Sequence, residues 1–580
     1  MLAKGLERWW MVDTIVTRTD DILLDWNQIN WTTIEEAVNA LRQRIFAASR
    51  LQDWKTVRGL QKLMLRSRAN VLVSVRRVTQ INQGHMTAGV DGRVVIDSQG
   101  RAMLADWLII HAAKVTASPV RRVYIPKADG RRRPLGIPVI IDRAVQAMVV
   151  NALEPEWEAR FSPDCYGFRP GRGCHDAIAA IRTRTRGGLH RTWILDADLK
   201  AAFDHVDHDF LLGRLEGFPA RELIKSWLRA GVVEQGVLTA TVDGVPQGGV
   251  ISPLLLNIAL HGLEDAAGVE RVLSGARRDD VRPGCPVVVV YADDLVVLCY
   301  TPEQAAAAKT RLTGWLAERG LVFNDDKTQI VSLSDGFDFL GFNVRRYPCG
   351  KTLIKPSSAA LIRIRRRLHS EVKALHGANA GMVIARLNPI IKGWAAYYRI
   401  GVSSRAYACL DHYLHGLLHH WAKRAHPHKS KRWRDARYFG RFNPKRQDRW
   451  VFGDRDTGAY LHRFAWTRIK RHVKVAGRAS PDDPDLTQYW QDRRSHYPAP
   501  VADSLRELLH RQNGYCPRCG GLLLHSASPP NTPGEWEQWH RGVKIAYRHL
   551  GLITTPGTPD SVSRLIHTRC QPPPLAHGLA

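Results

Sequence analysis

The chain has 580 residues, 44% hydrophobic and 24% charged, enough core material for several folded domains and too apolar for an intrinsically disordered protein. No apolar stretch approaches the roughly 18 residues of a membrane span, and the opening Met1-Leu-Ala-Lys-Gly-Leu-Glu-Arg-Trp-Trp10 has no secretion-signal block, so a cytoplasmic protein with no membrane partner is expected. Lys and Arg total 84 against 55 Asp and Glu, a net charge of +29, and Leu361 to Ser480 alone holds 27 basic and 6 acidic residues. Basic residues interleaved with Trp and His, as in Lys429-Ser-Lys-Arg-Trp-Arg434, suit a phosphate backbone with bases beside it.

In chain order, Trp31 to Gln80 reads as helices with Arg-rich faces. Thr87-Ala-Gly-Val-Asp-Gly92 is a turn. Val120 to Pro138 reads as a hairpin turning at Asp129-Gly130, and Ile141 to Arg160 as a helix. Thr192-Trp-Ile-Leu195 is a strand running into Asp196-Ala-Asp198. Pro286-Val-Val-Val-Val-Tyr-Ala-Asp-Asp-Leu-Val-Val-Leu298 is two strands hinged on an acidic pair. Helix Pro302–Arg319 and strand Gln329–Leu333 complete an α+β unit ending near Val344. Beyond Lys355 the pattern is helical and basic, Ser480-Pro-Asp-Asp-Pro484 is a linker candidate, and a small Cys/His tail follows. Cys516, Cys519 and Cys570 are the organised cysteines of the nine; the other six are scattered singly, as reduced thiols are.

Tyr291-Ala-Asp293-Asp294 carries the chemistry. Apolar strands on both sides force two carboxylates onto a tight hairpin tip, where they repel each other and need a cation. Asp198, at a strand end, is the natural third ligand. Such a site can hold two divalent ions, and oxygen donors beside substrate phosphates suit Mg²⁺. The chemistry is nucleotidyl transfer.

The order of motifs resembles the reverse transcriptases encoded by group II introns. The matching pieces are Lys127…Arg133-Pro-Leu-Gly-Ile-Pro, Tyr166-Gly-Phe-Arg-Pro-Gly-Arg172, Asp198-Leu-Lys-Ala-Ala-Phe-Asp204, Gly244-Val-Pro-Gln-Gly-Gly-Val-Ile-Ser-Pro-Leu-Leu-Leu-Asn257, Tyr291-Ala-Asp-Asp294, Phe323-Asn-Asp-Asp-Lys-Thr328 and Phe339-Leu-Gly-Phe342. The resemblance implies that Asp198, Asp293 and Asp294 bind the metals, with the backbone carbonyl of Leu199 as a further ligand. It implies that Lys127 and Arg133 grip the triphosphate of an incoming dNTP. Gln247 would pack on that nucleotide, and Phe203 would act as a steric gate against a 2′-hydroxyl. Arg386 to Tyr398 and Leu410 to Leu417 resemble the maturase domain of these proteins, which doubles as the polymerase thumb and binds intron RNA. Ile391, Trp394 and Tyr398 fall at helical spacing and are expected in its core, leaving RNA to the surrounding Lys and Arg.

Cys516-Pro-Arg-Cys519, Glu537-Gln-Trp-His540 and His567-Thr-Arg-Cys570 resemble an HNH endonuclease that has lost residues. Trp539 stands where a His is usual, Ser561 or Val562 where Asn is usual, and Gln571 where the terminal His is usual. A structural Zn²⁺ on Cys516, Cys519, His567 and Cys570 with little DNA cleavage is expected.

The expected architecture is a right-hand α+β polymerase: an N-terminal helical extension (1–84), fingers and palm (85–345), a helical maturase/thumb domain (355–460), a basic DNA-binding region and linker (461–500), and an HNH-like zinc tail (505–575). The expected function is RNA-directed DNA synthesis for a group II intron, with intron RNA, an RNA template carrying a DNA primer, dNTPs and a DNA target as partners. An RNA-binding splicing cofactor with a vestigial polymerase is the alternative; the intact triad, Lys127, Arg133 and Gln247 argue against it.

Overall fold

A computed structural model of the chain describes residues 24–126, 132–186, 191–272 and 279–495, and beyond them 503–512, 516–517, 523, 530–548, 550–553, 563–567 and 570. The N-terminal part is helical. Trp31–Arg50 starts under an Asn30 cap, Trp54–Arg66 under Asp53 and Arg68–Arg76 under Ser67, each side-chain oxygen accepting an otherwise unpaired amide N–H of the first turn. Their apolar faces pack on Ile140–Glu158, a helix buried on nearly every side, which explains why its sequence shows little amphipathic pattern.

Among the described residues the strands form two four-stranded sheets, one three-stranded sheet and two two-stranded sheets. Those of the two four-stranded sheets are β1 (Val120–Pro126), β2 (Arg132–Ile137), β3 (Trp193–Asp198), β4 (Val232–Glu234), β5 (Val237–Thr239), β6 (Val287–Tyr291), β7 (Asp294–Cys299) and β8 (Gln329–Ser332). One sheet has the order β2-β1-β4-β5; the central sheet has the order β6-β7-β3-β8. In the central sheet the valine run has no polar alternation because both faces are buried. Val288, Val290, Leu295 and Val297 face the core shared with the N-terminal helices, while Val287, Val289, Val296 and Leu298 face a second core.

That second core belongs to the C-terminal helices. Ser358–Ala374, Ala380–Tyr398 and Ser404–Ala425 bury Leu368, Leu387, Trp394 and Leu418 against Phe342 and the outer face of the sheet. Ile391, Trp394 and Tyr398 are buried, as their spacing predicts. No helix among the described residues is long and apolar enough to cross a membrane.

Two features depart from expectation. Ser480 to Pro484 is not a free linker. Arg42, on the first helix, bonds both oxygens of Asp482 at 2.7 Å and reaches Glu154 at 2.7 Å, and Arg50 pairs with Asp483. Arg172 donates to the carbonyls of Gly477 and Ala479, and the Trp490 ring lies over Gly171. Composition alone reads Pro and Asp as linker; here the aspartates are the anions that arginines from distant helices require. The second departure is the helix Pro533–Arg548, which is packed on Ala380–Tyr398. Its backbone approaches so closely at Gly393 that a Cβ there would lie 2.6 Å from the Glu537 nitrogen. Arg367 pairs with Glu537 at 2.7 Å, and Trp536 joins the second core.

Candidate active site

The hairpin β6–β7 brings Tyr291 opposite Asp294, with Ala292 in the left-handed region (φ 59°) and Asp293 at the tip. β3 runs antiparallel to β7, so that Asp198 stands directly opposite Asp294. The Leu199 amide donates to the Asp293 carbonyl at 3.3 Å, fixing the strand end to the tip. From behind, Gly167 touches the Ala292 backbone where a side chain would not fit, and Asn257 donates to the Gly167 carbonyl at 2.9 Å. Three motifs far apart in sequence thus lock one acidic tip.

The electrostatics follow from crowding. Burial, then the charges of Asp293 and Asp198, push the Asp294 carboxyl up to about 7. Burial also raises Asp293, with the Asp198 charge adding to it and Arg133 and Lys327 opposing. Asp196, two residues before Asp198, is pushed up to about 6 by burial and by Asp338 and Asp198. The cation that meets this charge is Lys327, whose Nζ donates to Asp198 Oδ2 at 2.7 Å while Asn324 donates to the same oxygen at 3.2 Å. Sequence reading quoted the motif holding Lys327 but gave the residue no role; its 129-residue separation from Asp198 is the reason. Among the described residues no three His, Cys, Asp or Glu side chains are already closed on a metal position. The donor set nevertheless suits a hard divalent cation: three oxygen-only side chains, two of them held above their ordinary values by burial and by neighbouring carboxylate charge.

The nucleotide-side residues are placed as follows. Arg133 is exposed on β2, opposite Ile125; Lys127 lies outside the described residues. Gln247 accepts from the Gly136 amide through its carbonyl at 2.6 Å, tying β2 to the turn, while its side-chain Oε1 is buried with no donor. Phe203 is 7% exposed and meets Phe168 edge-to-face at 6.1 Å. Phe168 itself is exposed and in the left-handed region, a residue the sequence reading passed over.

In the tail, Cys516 is buried in a small apolar cluster with Leu509, Leu523, Leu565 and Ile566, and Cys570 packs beside it. Cys519, Ser561, Val562, Gln571 and the His567 side chain lie outside the described residues. His540 is packed toward the helical domain instead, where burial and the nearby Lys392 push it down to about 4.

A mixed α/β sheet presenting an acidic hairpin beside a third strand-end carboxylate defines a nucleic-acid polymerase. The comparisons give the branch. Three family models match in succession: "N-terminal domain of reverse transcriptase" over 26–124, "Reverse transcriptase (RNA-dependent DNA polymerase)" over 125–344 and "Group II intron, maturase-specific domain" over 361–439. Protein YkfC of Escherichia coli is 37% identical over 311 residues, 47% of this chain and 80% of that protein. The group II intron-encoded protein LtrA of Lactococcus lactis is 41% identical over 151 residues, a quarter of each chain. An uncharacterized 91 kDa protein in a cob intron of Schizosaccharomyces pombe is 28% identical over 342 residues, 50% of this chain and 41% of that one. The chain belongs to the reverse transcriptases that carry the group II intron maturase domain. Its activity is RNA-directed DNA synthesis, joined to a role in intron splicing and mobility.

Proposed function

We propose that the molecule works as a right-hand polymerase, with the β1–β2 sheet as fingers, the central sheet as palm and the helices from Ser358 as thumb. Asp198, Asp293 and Asp294, with the Leu199 carbonyl, are the ligands of two Mg²⁺ ions. The observation that carries this reading is the register that sets Asp198 opposite Asp294 with Asp293 at the hairpin tip. Bound there, the ions supply activation of the primer 3′-hydroxyl and neutralisation of the departing pyrophosphate. The protein's own groups orient the reactants. Arg133, together with Lys127, binds the triphosphate from the fingers, and Gln247 Oε1 is a buried acceptor waiting for a nucleotide donor. Phe203 closes the space under the sugar, braced by Phe168.

The partners are an RNA template with a DNA primer, dNTPs, intron RNA and a DNA target. The cation excess of Leu361 to Ser480 supports RNA binding by the maturase domain through phosphate contacts, aiding splicing by stabilising RNA structure without covalent chemistry. In the tail, the shared cluster of Cys516 and Cys570 supports a closed structural Zn²⁺ site completed by Cys519 and His567, and the packing of His540 toward the helical domain supports weak or no strand cleavage. Mg²⁺-dependent primer extension on an RNA template by the purified chain and by Asp198→Asn tests the reading: the variant should lose synthesis while retaining RNA binding, and synthesis retained by it would overturn the metal assignment.

A further inference from the structure

Behind the polymerase site, three parts of the chain that composition treats as separate enclose a cavity of about 290 Å³, near the lower end of small-ligand pockets at roughly 300 Å³. The helix Ala380–Tyr398 contributes Ala396 and its C-cap contributes Arg399; the basic segment 470–476 and the helix Thr487–Ser495 form a second side; Trp536 of the tail helix forms a third. None of the residues given a metal or nucleotide role above lines it.

Its chemistry is divided. Trp536, Tyr489 and His175 supply rings, and Ile400 and Ala396 supply aliphatic surface. Arg399, Lys470, Arg471, Lys474 and Arg493 also line it, against a single acid, Asp492. Two of these cations are committed: Lys474 lies 3.7 Å from Asp164 and Arg493 lies 2.7 Å from Asp176. Arg399 and Arg471 have no carboxylate partner among the described residues, so their charge is left for something else. Aromatic rings lining the same cavity as guanidinium groups without carboxylate partners are the pattern that receives a base on one side and a phosphate on the other.

A second observation points the same way. Trp536 is 8% exposed and its indole N–H is buried, with no acceptor among the described residues. Three other buried indoles are satisfied: Trp227 donates to Asp142, Trp421 to the Leu375 carbonyl and Trp490 to the Ser480 carbonyl. An orphaned buried donor is costly, and the acceptor of a bound molecule removes that cost.

We propose that this cavity binds one nucleotide of a single-stranded polynucleotide, its base among Trp536, Tyr489 and His175 and its phosphate on Arg399 and Arg471. The site shares no lining residue with the metal and nucleotide positions named above and gives the tail helix a function independent of nuclease chemistry: it supplies one wall of a nucleic-acid clamp. RNA and DNA share the required chemistry, and the test distinguishes them.

The full chain is irradiated with single-stranded oligonucleotides carrying 5-iodouridine in one arm and 5-iododeoxyuridine in the other, and the adducts are mapped to peptides. Adducts on Trp536 or Tyr489 are expected, and the arm that gives them names the polynucleotide. Arg471→Glu, an exposed position, should abolish those adducts, weaken binding ~3- to 10-fold and reduce the slope of log affinity against log salt by about one. Trp536→Phe keeps a ring and should weaken binding without loss of folding. Lys62→Glu, an exposed change of equal charge on the N-terminal helices, is the control. Adducts confined to other peptides, or an Arg471→Glu effect no larger than that of Lys62→Glu, would overturn the proposal.

Discussion

Lys327 Nζ lies 2.7 Å from Asp198 Oδ2, so that one ammonium meets the strand-end carboxylate while its two acidic neighbours at the hairpin tip have no such contact. Lys327 and Arg133 oppose the charge of these carboxylates, yet burial and then the charges of Asp293 and Asp198 raise the Asp294 carboxyl. The pH dependence follows. A carboxyl whose folded value, about 7, exceeds its unfolded value of 3.8 holds more protons in the native state between them. Native stability therefore falls as pH rises from about 4 to about 7. In metal-free buffer at about pH 8, Asp294→Asn should melt ~2 °C or more above the wild type, a gap that closes near pH 5. Mg²⁺ should raise the wild type more than the variant, which keeps Asp198 and Asp293 but has lost the third carboxylate ligand. Thermal melts across pH with and without Mg²⁺ decide this; parallel curves for the two proteins would contradict it.

Phe203 is almost wholly buried, with Phe168 at its edge. Phe203→Val should open the space beneath the sugar and raise ribonucleotide relative to deoxyribonucleotide incorporation by about tenfold or more. The ratio is the readout because loss of core packing lowers both rates together. An unchanged ratio means the ring serves packing alone.

The strap from His472 to Trp490 is held at Asp176, which accepts from His472 Nε2 at 2.9 Å, the Val475 amide at 2.9 Å and Arg493 at 2.7 Å. Burial works against this carboxylate, yet its partners hold it below its ordinary value. Its stabilisation is therefore present above about pH 4 and lost as pH falls further. Asp176→Ala removes the buried carboxylate that meets His472, Arg493 and the Val475 amide and should cost ~3–5 kcal/mol in denaturant unfolding. A loss under 1 kcal/mol would mean the strap is held elsewhere, through Arg172 or Arg42.

Gly393 admits the Glu537 backbone. Gly393→Val should lift the helix Pro533–Arg548 from the helical domain and speed amide exchange in that helix by about tenfold or more. Exchange that is unchanged would show the contact to be dispensable.

The local parts of the site were readable in sequence because each is written in a few residues. The valine flanks of Asp293-Asp294 announce a buried hairpin, and the period-2 division of Val287–Val290 between two cores follows from strand geometry alone. What sequence could not give was pairing. Asp198 opposite Asp294, Lys327 on Asp198, and Arg42 on Asp482 join residues separated by 96, 129 and 440 positions. The last was misread outright, since Ser480-Pro-Asp-Asp-Pro has linker composition until arginines from the first helix claim its acids. His540 falls in a stretch that resembles a nuclease motif; Trp536 and Trp539 beside it carry the stronger signal, an aromatic face made for packing. Lys127, Cys519 and the His567 side chain fall outside the described residues, so their expected roles rest on resemblance.

The central claim is that Asp293 serves chemistry while the basic helical domain serves RNA. Primer extension and intron-splicing assistance, measured side by side on Asp293→Ala, test it most directly. The variant should lose RNA-templated DNA synthesis by ~10³-fold or more while RNA affinity stays within about twofold and splicing assistance persists. Residual synthesis near the wild-type rate, or loss of splicing assistance together with synthesis, would contradict the account.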